Sequence, residues 1–145
     1  MKNRVFTFVF LLFSFISLGQ QKITWDDLAK VKFVEKYYPE YGQNFLYPEF
    51  SKSVKDLEGK KVTMTGYFLN LDADQKIYIL SKGPMSACFF CGTGGPETAV
   101  ELHFKKDPNF RTDDIITITG ILKLNSDDVE HFNYILNDCE AVKTK

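Results

Sequence analysis

Two segments of the chain share a pattern in which apolar residues alternate with threonine and a glycine follows. The segments read VTMTGY at residues 62–67 and ITITGI at residues 116–121. Alternation with a period of two puts every second side chain on the same face of a β-strand, so each segment predicts a strand with one buried face. A glycine inside such a strand allows the sharp bend or bulge with which a small barrel closes. The pattern therefore predicts a small β-barrel.

Turn-forming residues divide the second half of the chain into five predicted strands. These strands span residues 61–71, 76–81, 98–104, 115–124 and 132–142. The links between them are rich in Asp, Asn, Ser, Gly and Pro, as turns require. Five short strands with bent first and fourth members match the OB-type barrel, although the usual helix between strands three and four has little room here. We therefore predict a mainly β fold, with a five-stranded antiparallel OB-like barrel over residues 59–145.

Residues 20–58 are predicted to form a short helix and an aromatic-rich extended arm that packs on the barrel. Thr24 precedes Asp27 by three residues, the spacing of an N-cap and its capping-box partner, so a helix should open there and run to about Lys30. The aromatic residues between positions 33 and 50 are interrupted by two prolines and a glycine, which excludes a continuous helix.

The first nineteen residues have the organisation of a secretory signal peptide. Lys2 and Arg4 precede an uncharged apolar run, and small residues occupy the −3 and −1 positions of a cut before Gln20. The run is shorter than the roughly 20 residues that span a bilayer. We therefore expect a periplasmic or secreted protein with no membrane span after cleavage.

The charge pattern does not favour nucleic acid as a partner. Loss of residues 1–19 would lower the number of Lys and Arg from 18 to 16, against 19 Asp and Glu. The basic pairs at residues 60–61 and 105–106 stand beside Glu58 and Asp107. A surface that follows a phosphate backbone needs clustered basic residues without acidic neighbours.

The loop between the second and third predicted strands is the stretch with the clearest chemistry. It contains a Cys-x-x-Cys pair, Cys88 and Cys91, and a glycine-rich continuation made of Gly92, Gly94, Gly95 and Pro96. Two thiolates on a tight turn can converge on a metal such as zinc, and a following glycine lets backbone N–H groups point at sulfur. In an oxidising compartment the same pair can form a structural or reversible disulfide. The sequence leaves both chemistries open.

A four-ligand zinc site would need two further side chains supplied by the fold. The candidates are Glu97, Glu101, His103 and Cys139. A second Cys-x-x-Cys is absent, and Gly92 stands where covalent haem attachment requires histidine. Cys139, near the end of the last predicted strand, also fits a small buried thiol. His103 and His131 lie in or beside strands without a serine nucleophile pattern, so no catalytic residue is predicted.

Three sequence motifs lie along the chain after the predicted signal peptide. They are ITWDDL at residues 23–28, LEGKKV at residues 57–62, and the Cys-x-x-Cys loop with GPE at residues 95–97. In this combination the chain resembles an uncharacterised exported bacterial family, known only as a domain of unknown function. The resemblance implies an exported OB-like protein without an established activity. It also implies that the paired cysteines belong to one branch of the family.

These patterns together favour an exported OB-like binding module over an enzyme. Its ligand would be a metal such as zinc, held by Cys88 and Cys91, and its partner an envelope protein or a small molecule. Two alternatives remain. The first is a thiol-disulfide redox protein that uses the same two cysteines. The second is a plain protein-interaction module that uses the aromatic arm, with the cysteines as a structural disulfide.

Overall fold

The computed structural model describes residues 19–144, so the predicted signal peptide lies outside the described residues except for Gly19. The strands are β1 (Gln21–Lys22), β2 (Val31–Tyr38), β3 (Gln43–Phe50), β4 (Lys61–Asp72), β5 (Ile77–Ser81), β6 (Ala99–Phe104), β7 (Ile115–Leu124) and β8 (Tyr134–Lys143). The helices are α1 (Trp25–Leu28) and α2 (Lys52–Lys55), with 3₁₀ turns at Met85–Ala87, Phe89–Cys91 and Pro96–Thr98. Within residues 19–144, no helix has the length and apolar content needed to cross a membrane.

Five of these strands form a closed barrel. β4 pairs with β5, β5 with β6, β7 with β8, and β4 with β7, all antiparallel. β6 pairs with β8 in parallel and completes the ring. The predicted mainly β, OB-like barrel is confirmed. The parallel β6–β8 pair was not predicted, because alternation along one strand carries no information about the direction of its neighbour.

The barrel strands lie close to their predicted positions. β7 has the predicted bounds, and β4 ends one residue later than predicted. β5 and β6 each begin one residue later, and β8 is displaced towards the carboxyl end by one to two residues. Consecutive residues point to opposite faces of a strand. Phe68 therefore packs inside the barrel while its neighbour Leu69 packs outside it, in a second small apolar cluster.

Helix α1 begins where the capping pattern predicts. The Thr24 backbone N–H donates to Asp27 Oδ2 at 3.0 Å, which satisfies a donor that the first helical turn leaves free. The helix ends at Leu28, two residues before the predicted end. Leu28 is fully buried in the main core, and the indole Nε1 of Trp25 donates to the Thr65 carbonyl at 2.9 Å. These contacts hold α1 against the barrel.

The predicted extended arm is a β-hairpin. β2 and β3 pair over their whole length, from Val31 opposite Phe50 to Tyr38 opposite Gln43. Gly42 lies in the turn with φ +65°, a left-handed conformation that glycine adopts without strain. The hairpin packs against the barrel through Phe50, whose ring centroid lies 5.5 Å from that of Tyr134 in β8.

Candidate functional site

The segment from residue 84 to residue 97, hereafter the thiol loop, folds into short 3₁₀ turns. The Cys91 backbone N–H donates to the Cys88 carbonyl at 3.0 Å, which closes the turn that contains both cysteines. Gly92 ends the turn in the left-handed region, with φ +75°. A side chain with a β-carbon would be strained there, so glycine at this position is explained by the backbone. The turn places the Sγ atoms of Cys88 and Cys91 3.9 Å apart.

The two thiols have different surroundings. Cys88 is 2% exposed and packs with Leu69, Ile79 and Ala99 on the outer face of β4, β5 and β6. Cys91 is exposed, and its thiol donates to the Met85 carbonyl at 3.1 Å. One sulfur is thus fixed to the barrel wall by packing, and the other faces solvent.

The distance between the two sulfurs allows either of the predicted chemistries. Two thiolates bound to one tetrahedral zinc ion at about 2.3 Å each lie about 3.8 Å apart. The observed 3.9 Å is close to that value. In a disulfide the two sulfur atoms are about 2.05 Å apart, so the exposed Cys91 side chain would have to rotate towards Cys88 to form one.

The structure does not bring the other proposed ligands to the cysteine pair. Cys139 lies in the main core, where its thiol donates to the Leu136 carbonyl at 3.1 Å. Burial raises the pKa of Cys139 to about 12, which keeps the thiol protonated and makes it a poor metal ligand. Glu97 is in the 3₁₀ turn Pro96–Thr98. Among residues 19–144, no His, Cys, Asp or Glu ligand atom lies within 4.8 Å of both thiol sulfurs.

Glu101 and His103 instead meet His131. Glu101 Oε1 lies 2.7 Å from His103 Nε2 and 2.8 Å from His131 Nδ1. Glu101 Oε2 accepts a hydrogen bond from the Phe132 backbone N–H at 3.0 Å. Burial opposes ionisation of Glu101, but the hydrogen bonds from Phe132, His103 and His131 lower its pKa below the ordinary value. His131 was not predicted as part of a site. The Glu101-x-His103 spacing, which puts both side chains on one strand face, was the available signal.

A cleft of about 410 Å³ lies beside the thiol loop. The hairpin contributes Tyr38 and Phe45, the β7–β8 loop contributes His131 and Phe132, and the thiol loop contributes Phe89. Phe90 of the thiol loop is half exposed, and its ring centroid lies 5.9 Å from that of Phe132. Three separate segments therefore border one concave surface, which is the usual form of a binding site.

The different burial of the three cysteines predicts an order of chemical reactivity. In the reduced protein we expect Cys91 to react first with a thiol reagent, Cys88 much more slowly, and Cys139 only on unfolding, since reaction needs an accessible thiolate. Mass spectrometry of peptides after timed alkylation measures the order. All three should react at similar rates in denaturant, which serves as the control. Rapid labelling of Cys139 in the native protein would contradict its burial in the core.

In comparisons with known proteins, no family model, curated protein or solved structure matches this chain.

Proposed function

We propose that the protein is an exported OB-like binding module whose thiol loop binds a metal ion such as zinc through Cys88 and Cys91. The observation that carries this proposal is the 3.9 Å separation of the two sulfurs on one turn. That separation is already close to the distance between two thiolates on a tetrahedral zinc ion. Thiolate ligands also favour zinc over the hard ions magnesium and calcium.

The barrel supports this site by restricting one of its two ligands. Cys88 is packed in an apolar cluster on the barrel wall, so few rotamers are open to it. The turn is closed by the Cys91 N–H bond to the Cys88 carbonyl and ended by Gly92. A metal ion would therefore require mainly a small movement of the exposed Cys91 side chain. Little conformational entropy is lost when a site is organised in this way.

The number of ligands explains why a binding role is preferred to a purely structural zinc site. Structural zinc sites use four protein ligands, and the described residues bring no third ligand atom to the cysteine pair. The remaining positions on the ion would belong to water, to a small ligand or to a side chain of an envelope partner. The cleft beside the loop offers a surface on which such a partner can rest.

Substitution of the cysteines tests the proposal. We expect Cys88→Ser, Cys91→Ser and the double variant to lose bound zinc to the same extent, because a two-thiolate site fails when either sulfur is removed. Zinc content of the purified protein, with and without a chelator, measures this. Cys139→Ala is the matched control and should keep its zinc. A chelator should lower the melting temperature of the unsubstituted protein and of Cys139→Ala by more than it lowers that of the variants without the cysteine pair.

A second candidate function, thiol-disulfide exchange, is favoured by the unequal exposure of the two cysteines. Exposed Cys91 can attack a disulfide of another exported protein, and Cys88 can then release the mixed disulfide. The protein would end with a Cys88–Cys91 disulfide, and the other protein would gain the two electrons and two protons as a dithiol. In that case reductant would lower the melting temperature of the unsubstituted protein but not that of the double-cysteine variant, and a chelator would affect both proteins equally. A response to neither would mean that the cysteines are packing residues, and both candidate functions would be wrong.

A further inference from the structure

We propose a second metal site, formed by Glu101, His103 and His131, that binds a divalent transition-metal ion independently of the thiol loop. One ligand atom from each of the three side chains, a carboxylate oxygen and two imidazole nitrogens, lies within 4.8 Å of the other two. Among residues 19–144 this is the one group of three such side chains that is close enough to share an ion.

Main-chain structure holds the three residues together. Glu101 and His103 are two residues apart on β6, and Leu102 between them is 1% exposed and points into the barrel. Both ligand candidates therefore lie on the outer face of the strand. The loop that carries His131 is tied to the same place, because the Phe132 backbone N–H donates to Glu101 Oε2 at 3.0 Å. The parallel pairing of Glu101 with Ile135 brings that loop alongside β6.

The hydrogen bonds of His103 resemble those of a metal ligand. Its Nδ1 lies 2.9 Å from Asn137 Oδ1, an amide oxygen that can only accept, so Nδ1 carries a proton. Its other ring nitrogen, Nε2, lies on the side of Glu101, 2.7 Å from Glu101 Oε1. The ring nitrogen that would bind an ion is therefore Nε2, while Nδ1 is held by the Asn137 side chain. Metal-binding histidines commonly donate the second ring N–H to such an oxygen, which fixes the tautomer.

The donor set indicates the class of ion. Two imidazoles and one carboxylate suit zinc, nickel, copper(II) or iron(II), and suit neither calcium and magnesium nor the soft copper(I) ion. Ligand atoms at about 2.0–2.1 Å from a tetrahedral ion lie about 3.4 Å apart. The observed 2.7 and 2.8 Å require a small outward movement of the imidazoles. The histidine side chains are 47% and 48% exposed, so this movement meets little resistance.

The test uses the full chain in which Cys88→Ser and Cys91→Ser remove the thiol loop as a binding site. Titration with zinc chloride should show one ion per chain in this background. Adding His103→Ala or His131→Ala should weaken zinc binding at least tenfold, since each removes a ligand. Glu140→Gln, which replaces an exposed carboxylate on neighbouring β8, is the matched control and should not change the affinity.

Two further measurements separate ligation from a structural role of the histidines. Zinc should shift the NMR ring resonances of both His103 and His131 in the double-cysteine variant, and circular dichroism should show that each variant remains folded. Glu101→Gln should also weaken binding, because the amide is a poorer ligand than the carboxylate. Failure of the folded double-cysteine variant to bind zinc would overturn the proposal. Binding that survives replacement of both histidines would overturn it as well. Neither result bears on zinc at the thiol loop.

Discussion

Replacement of Phe68 by alanine is expected to lower the free energy of unfolding by about 4 kcal/mol, because it leaves a cavity in the apolar core of the barrel. Phe68 is fully buried. Its ring centroid lies 5.6 Å from that of Tyr78, 5.6 Å from that of Phe110 and 6.3 Å from that of Phe104. These partners lie in β5, in β6 and in the segment after β6, so the aromatic ring packs against three parts of the barrel at once. Denaturation in urea, monitored by fluorescence and circular dichroism, measures the change.

Tyr37→Ala provides the matched control for this substitution. Tyr37 is also aromatic and also lies in a strand, but it is 60% exposed on the hairpin. We expect its replacement to change the free energy of unfolding by no more than about 0.5 kcal/mol. Similar losses for both variants would show that Phe68 does not lie in a close-packed core, and the barrel interior described above would be wrong.

Gly66→Val is expected to destabilise the protein by about 3 kcal/mol, through crowding instead of loss of contacts. A β-carbon at residue 66 would lie 2.7 Å from the Ser81 carbonyl oxygen and 2.8 Å from the Trp25 ring. Neither neighbour can move easily. Ser81 is in β5, paired with both Tyr67 and Ala99, and the Trp25 indole is held by its bond to the Thr65 carbonyl. The same urea experiment measures the loss.

Thr65→Val is the control for Gly66→Val. It tests whether a valine elsewhere in β4 also weakens the strand. Thr65 is the neighbour of Gly66, but its side chain is exposed on the outer face of the strand. Since valine suits an exposed strand position, we expect a change within about 0.5 kcal/mol. Equal stabilities of the Gly66→Val variant and the unsubstituted protein would mean that α1 does not pack on β4 as described.

The barrel could be predicted from sequence because its strands are amphipathic and its turns are marked. In β7 the apolar and threonine residues alternate from Ile116 to Thr119, and the predicted bounds agree with the structure. The hairpin was harder to predict. Its aromatic residues do not alternate cleanly, and Pro48 lies within β3, where it cannot donate a strand hydrogen bond. The sequence therefore indicated extended chain there without indicating that it pairs with itself.

The cysteine pair and the histidine group differ in how far sequence could reveal them. Cys88 and Cys91 are three residues apart, so local spacing alone brings their sulfurs together. His131 is 30 residues from Glu101 and meets it only because β6 and β8 are parallel neighbours. Strand order is set by the packing of the whole barrel and has no local signature. Cys139, by contrast, is buried in the core, which agrees with the small buried thiol that its sequence position indicated.

The parallel contact between β6 and β8 also sets when this chain can finish folding. β8 lies between β6 and β7 and is the last barrel strand to be synthesised. Without residues 134–143, the remaining strand order β7–β4–β5–β6 would have two unpaired edges and an uncovered apolar face. Such incomplete sheets are prone to pair with one another, and contacts between distant residues form slowly. The barrel can therefore close only when β8 is available to pair with both β6 and β7, so closure depends on the strand that comes last in the chain.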